Sequence, residues 1–165
     1  MNKLTAVALA GVISTACAAP LAAAPTAEGQ IRTLEAKFAA AVGAKDLDAI
    51  MKVYSPDVFV FDVVPPRQYV GAAAYRADWK DLLAGMAGPL KFELTDLDVT
   101  ADGNVGYSHS IQRIVSKTPS GATSDMTVRV TDVYRKQGGA WLIVQEHVSM
   151  PIDLATGKPD MSSKP

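Results

Sequence analysis

The feature that most constrains this chain is a succession of four alternating segments, residues 90–100, 105–116, 123–135 and 141–151, rich in Val, Ile, Thr and aromatic residues. Between them stand Asp102-Gly103, Ser120-Gly121 and Gly138-Gly139. Such dipeptides favour tight hairpin turns, because glycine takes the positive φ that these turns require. Segments joined so closely pair as antiparallel neighbours. A four-stranded meander needs a cover on at least one face.

The cover lies upstream. Ile31, Leu34, Phe38 and Ala41 recur at three- and four-residue steps, which makes one apolar face of a helix that Gly43 ends. Asp46 caps a second, shorter helix carrying Leu47, Ile50 and Val53, which stops before Ser55-Pro56. Residues 57–64 are β-branched and aromatic and read as a strand closed by Pro65-Pro66. Gly71 opens a third helix with Tyr75, Trp79, Leu82 and Met86 along one side, and Gly88-Pro89 terminates it. The order α-α-β-α-β-β-β-β predicts an α+β fold over residues 28–153. Three N-terminal helices pack on a strongly bent, mainly antiparallel sheet and make a cone. The open end of a cone is a natural ligand site. Residues 154–165 are polar, contain Pro and Gly, and read as a loose tail.

The N-terminus carries a separate signal. Lys3 precedes an uncharged apolar stretch, residues 4–16, and small residues follow through Ala24. This is the pattern of a secretory signal peptide, residues 1–18, with cleavage somewhere in 18–24 and a tether over 19–27. It is too short for a bilayer span of about 20 residues, so no transmembrane segment is expected. The expected location is periplasmic or secreted. Cys17, the one cysteine, offers the alternative of a lipid anchor, although Ser14 stands where such signals usually carry leucine. With no second cysteine, the core must hold without a disulfide. A net charge of −1 with 20% charged residues points away from nucleic acid and anionic membranes as partners.

Carboxylates on apolar strand faces carry the chemical interest. Met126, Val128, Val130, Asp132 and Tyr134 share one face by the two-residue period, and Asp62 ends the run Val58-Phe59-Val60-Phe61. Burial raises a carboxyl pKa, so the two aspartates suit a general base and a hydrogen-bond-donating acid. The plainer reading has Asp62 capping a turn and Asp132 paired with Arg113 or Arg129. His109 lies with Val105, Tyr107 and Ile111. His147 lies with Trp141, Ile143, Gln145 and Ser149. Each histidine suits a pocket acid, base or ligand contact, or ordinary hydrogen bonding in a sheet. The opposite face of the last strand, Leu142, Val144, Glu146 and Val148, serves equally well as the inner one, and Glu146 is then a third candidate carboxylate. Phe38, Tyr75 and Trp79 read as core or as pocket lining. Tyr69 stands in a stiff loop that would rim the mouth. No three-ligand metal spacing, P-loop, dinucleotide fingerprint or nucleophile triad is visible, so neither metal nor organic cofactor is expected.

Residues 35–62, EAKFAAAVGAKDLDAIMKVYSPDVFVFD, resemble the N-terminal half of a ketosteroid isomerase, including Asp46-Leu47-Asp48-Ala49-Ile50 and Tyr54. Val130-Thr131-Asp132-Val133-Tyr134-Arg135 is similar to the isomerase strand that bears its oxyanion-stabilising aspartate. Residues 141–149, WLIVQEHVS, resemble the Trp-x-Ile-Val-x-x-His-x-Ser ending of SnoaL-like proteins. The order of elements also fits the nuclear-transport-factor-2-like superfamily. The resemblance implies Asp62 as general base and Asp132 as protonated acid, a pairing known from ketosteroid isomerase. It also places the second oxyanion donor, a tyrosine, at Phe38, which has no hydroxyl. Loss of one such donor costs on the order of a hundredfold or more in rate. Tyr69, Tyr107 or His109 would have to replace it.

Three functions follow as expectations. The first is an exported domain that binds a small apolar or amphipathic molecule in a pocket containing acidic residues. The second is a proton-transfer enzyme (isomerase, cyclase, dehydratase or hydrolase) using Asp62 and Asp132, with His147 as an accessory group. The third is a homodimeric interaction module. Phe38, Tyr69, Tyr75, Trp79, Tyr107, His109 and Arg129 are the candidate ligand contacts.

Overall fold

The computed structural model describes residues 24–160. The expected signal peptide, Cys17 and most of the tether lie outside these residues. The first helix, α1, spans Ala27–Ala44; Thr26 caps it by accepting the Gly29 N–H at 3.1 Å. Its C-terminus turns at Lys45, held at φ +56°. Asp46 then caps α2, Leu47–Met51, by accepting from the Ala49 N–H at 3.0 Å.

Strand β1, Tyr54–Phe61, begins three residues earlier than the periodicity predicts and tolerates Pro56 within it. The pairing of β1 with its neighbour shifts register between Tyr54 and Phe59, so Pro56 sits where no ladder bond is needed. A two-residue strand, β2, Tyr69–Val70, was not legible in the sequence and pairs antiparallel with Phe59 and Val60. Then come α3, Ala72–Ala84, and the long strands β3, Ala87–Asp102, β4, Val105–Lys117, β5, Thr123–Gln137, and β6, Ala140–Ser149. They form one sheet in the order β2-β1-β6-β5-β4-β3, antiparallel except where β1 runs parallel to β6. The expected α+β architecture therefore holds, with β2 added. Among the described residues no helix is long and apolar enough to cross a membrane. After β6 the chain makes a turn closed by an isolated bridge between Ile152 and Pro159.

One irregularity in β3 bends the sheet toward the helices, and one glycine in β4 lets α1 pack closely on it. In β3 the pairing breaks between Thr95 and Asp98, with Asp96 at φ +52°, and a bulge of this kind bends and twists a strand. Arg32 of α1 reaches across to donate to the Leu97 carbonyl at 2.8 Å. In β4, Gly106 lies under α1, where an added Cβ would stand 2.8 Å from Ile31 Cδ1 and 3.0 Å from the Thr100 carbonyl oxygen. Gly106→Ala is therefore expected to overpack the helix–sheet contact and lower stability by about 1–3 kcal/mol, as measured by urea unfolding. An unchanged midpoint would mean α1 can lift off at no cost.

The core between helices and sheet is aromatic. Phe38 makes edge contacts with Tyr54, Trp79 and Phe92, with ring centroids 6.2, 5.7 and 5.8 Å away. Each such pair adds about 0.5–1.5 kcal/mol beyond the area it buries.

Candidate functional site

A cluster of carboxyls and phenols is embedded in this core. β5 alternates as expected: Val128, Val130, Asp132 and Tyr134 are buried. Asp132 faces Glu146 across the β5–β6 ladder. On β6 the side-chain phase changes partway along. Val133 pairs with Gln145 and Tyr134 with Ile143, leaving Val144 as the extra residue of a bulge. Trp141 and Ile143 point inward before it, and Glu146 after it. Both alternative faces of this strand are thus inner, each over half its length.

Glu35 arrives from α1, one turn after Ile31 and three residues before Phe38, on the buried stripe of that helix. Glu35, Asp132 and Glu146 are 1%, 1% and 2% exposed. Tyr54 from β1, Tyr75 from α3 and Tyr134 from β5 supply their hydroxyls. Tyr54 donates to Glu146 Oε2 at 2.9 Å, and Tyr75 is hydrogen-bonded to Glu146 Oε1. Tyr75 also meets Asp62 Oδ2 at 3.1 Å. Tyr134 donates to Glu35 Oε1 at 2.8 Å and shares a 2.7 Å bond with Ser108.

Proton counting decides part of the charge state. Tyr75 has one phenolic proton and two carboxyl neighbours, so it donates to one and must receive from the other. Burial pushes Glu146 and Glu35 up to about 7, against the lowering effect of their tyrosine bonds. Burial, reinforced by Glu146 and Glu35 as neighbouring negative charges, holds Asp132 well above the usual carboxylate range. Asp62 is half-buried at the edge of the cluster. Burial raises its pKa, and the Val63 and Val64 N–H groups at 2.5 and 3.4 Å oppose that rise. The outermost carboxyl is thus the natural anion. Tyr75 donates to it and receives the proton of a neutral Glu146.

Asp132 retains one unused atom. Its Oδ2 lies 3.5 Å from the Tyr134 hydroxyl, but Oδ1 has no hydrogen-bond partner among the described residues. Glu146, opposite it on β6, acts on the Asp132 carboxyl as a neighbouring negative charge and so favours its protonated form. The Trp79 indole N–H is likewise buried and without a partner among these residues.

Other candidates lie elsewhere. Gly106 must face Ile31, which turns the even-numbered residues of β4 inward and sends Tyr107 and His109 to the outer face of the sheet. Tyr107 is 53% exposed. The β6 bulge sends His147 outward, where its ring meets Phe61 at 5.7 Å. Arg129 also sits outside, opposite Ser149. The expected Asp132–arginine pairing is corrected as well, because Arg113 binds Glu93 and Asp125 instead. None of these four side chains reaches the carboxyl cluster. Phe38 is core. Tyr69 ties the Pro65 carbonyl (2.9 Å) to Asp78 (2.7 Å), bracing the loop beside Asp62. Asp62 and Asp132 do not touch but are linked through Tyr75 and Glu146. Glu35 was missed as a candidate; an acidic residue on the apolar stripe Ile31-Leu34-Phe38 was the signal that marks it. Among the described residues no group of three or more His, Cys, Asp or Glu is arranged to hold a metal ion.

A bent antiparallel sheet wrapped on three helices, with ionisable groups inside, defines a cone-shaped α+β domain of the nuclear-transport-factor-2-like class. Residues 31–153 match the model of the SnoaL-like domain, and the chain belongs to that family. It is 34% identical to a nuclear-transport-factor-2-like protein of unknown function from Pseudomonas putida KT2440, covering 84% of this chain and 96% of that one, with a TM-score of 0.77. A ketosteroid isomerase-like protein from Erwinia carotovora atroseptica shares the fold at 14% identity, covering 74% and 94% of the two chains, with a TM-score of 0.64. A nuclear-transport-factor-2-like superfamily protein from Salmonella enterica does so at 16%, covering 81% and 96%, with a TM-score of 0.68. No curated protein matches the sequence.

Proposed function

We propose that this chain is an exported domain that holds a largely apolar small molecule in its cone and reads one oxygen of that molecule through Asp132. The observation that carries this reading is the unpartnered Oδ1 of a buried carboxyl group. Burial raises the Asp132 pKa and favours the neutral carboxyl, so Oδ1 suits an O–H donor to a bound molecule. A buried donor without an acceptor costs about 1–3 kcal/mol, a cost that a ligand carbonyl or hydroxyl would relieve. Trp79 offers a second such donor.

The chain Asp62–Tyr75–Glu146 favours a second reading. A half-exposed carboxylate joined through a phenol to a buried acid is a route along which a proton taken at the mouth is shared inward. In that reading Asp62 is the base of a proton-transfer enzyme. The exposed aromatic face of Phe61 and Tyr107 suits pairing of two copies in either reading.

Mass spectrometry of protein purified from its host tests these readings together. Under native conditions, a two-copy assembly carrying a small-molecule adduct is expected, and Asp132→Leu, which removes the donor, should shed most of the adduct. Consistently ligand-free spectra over several preparations would end the binding proposal. Deuterium uptake by the recovered ligand on incubation with the protein in heavy water would move the assignment to the enzyme. Denaturing spectra read the N-terminus. Loss of residues up to 18–24 is expected for an exported chain, a diacylglyceryl mass on Cys17 for an anchored one.

A further inference from the structure

Helix α1 borders a ligand-sized concavity on its face away from the carboxyl cluster. A groove of about 630 Å³ runs on the other side of α1, between that helix, α2 and the turn that opens β6. This volume falls within the roughly 300–1,000 Å³ typical of small-molecule sites. We propose that this groove binds an alkyl carboxylate, an anion with an extended apolar tail.

The argument begins with α1, which has two working faces. Ile31, Glu35, Phe38 and Val42 point into the core. Thr33, Leu34 and Lys37 lie along the neighbouring stripe and line the groove. The floor is apolar: Leu34, Val53, Trp141 and Leu142. The Trp141 indole N–H is already satisfied by Gln30 Oε1 at 3.1 Å. The ring therefore offers its apolar surface without a polar demand of its own.

The charge at this groove is of one sign. Lys37 and Lys52 both line it, and among the described residues no acidic residue does. Neither ammonium group has an ion-pair or hydrogen-bond partner among the described residues. A third cation, Lys136, stands 5.9 Å from the Trp141 ring. This is the reverse of the cone, whose ionisable groups are carboxyls and phenols. An apolar trough edged by unpaired ammonium groups complements a molecule with a hydrocarbon body and an anionic head. Lysine suits this rim, because its apolar stem extends over the tail while its head stays in water beside the carboxylate. The proposal is independent of what the cone binds.

The test is a titration of the full domain with n-decanoate below its micelle concentration, followed by calorimetry and by amide and indole NMR shifts. The expected result is saturable binding at least about tenfold tighter than that of decyltrimethylammonium, which has the same tail and the opposite head. Shifts should concentrate at Lys37, Lys52, Gly139, Ala140 and the Trp141 indole. The double reversal Lys37→Glu with Lys52→Glu changes only exposed side chains and should weaken decanoate about tenfold or more. Raised salt should weaken it in the same direction. Equal binding of the two amphiphiles, an unaffected double variant, or no saturation would each overturn the proposal. Shifts centred on Tyr75 and Asp132 would also overturn it, while supporting the cone as the binding site.

Discussion

Unfolding free energy is expected to fall by several kcal/mol as the pH rises from about 4.5 to about 7.5, the opposite of the usual acid lability of carboxylate-rich proteins. Glu35 and Glu146 ordinarily titrate near 4.5, and in the fold burial raises both to about 7. Between those values the folded chain holds protons that the unfolded chain has released. Their contribution is complete below pH 4.5 and is lost as the pH passes 7. A shift of this size corresponds to about 3 kcal/mol for one such group. Asp132, raised in the same direction by burial, adds to the decline. The surface carboxylates Asp57, Glu93 and Asp125 are held below their ordinary values by Ser55, Lys91 and Arg113 respectively, so they oppose the trend only in stronger acid. Stability should therefore peak in mild acid. Urea unfolding at pH 4.5, 6, 7.5 and 9 reads the profile, and Glu146→Gln should flatten it by removing one titrating group. A profile that is level or rising across this window would contradict a neutral carboxyl cluster.

Tyr75→Phe should have the next largest effect, and its size should depend on pH. The variant keeps the ring, which packs edge-on against Tyr54 and Trp79, and deletes only the hydroxyl between Asp62 and Glu146. At pH 8 Glu146 is largely ionised, and a hydrogen bond to a buried charge contributes about 1.5–3 kcal/mol. At pH 5 Glu146 is neutral and the loss should drop to about 1 kcal/mol. A cycle with Glu146→Gln measures the coupling directly, and it should shrink at the lower pH. Equal losses at both pH values would mean that Tyr75 acts through packing alone. If the second reading of the cone is right, the variant should also disconnect Asp62 from the interior and reduce proton transfer without preventing ligand binding.

Much of this domain was legible from local patterns. The three glycine turns, the β5 face of Val128, Val130, Asp132 and Tyr134, and the Asp46 cap each depend on a few consecutive residues. The isomerase-like resemblance of residues 130–135 and the SnoaL-like resemblance of residues 141–149 are equally properties of the chain. β2 was not legible, because two residues make no period and Tyr69-Val70 is a strand only beside Phe59 and Val60. The placement of the two histidines was not legible for a related reason. Alternation tells which residues share a face, and it is silent on which face turns inward.

Only the packed structure decided that question. Gly106 under Ile31 fixed the inner face of β4, and closure of β6 between β5 and β1 placed a bulge at Val144 that turned Glu146 in and His147 out. The same packing brought Glu35 from α1 to Tyr134, 99 residues later, and Tyr75 to Glu146, 71 residues later. The sequence by itself determined the long elements, their turns and the face that Asp132 shares with Val128, Val130 and Tyr134. Tertiary structure determined the cluster, because a side chain's burial and pKa depend on what stands opposite it, and that is set by register and layer contact.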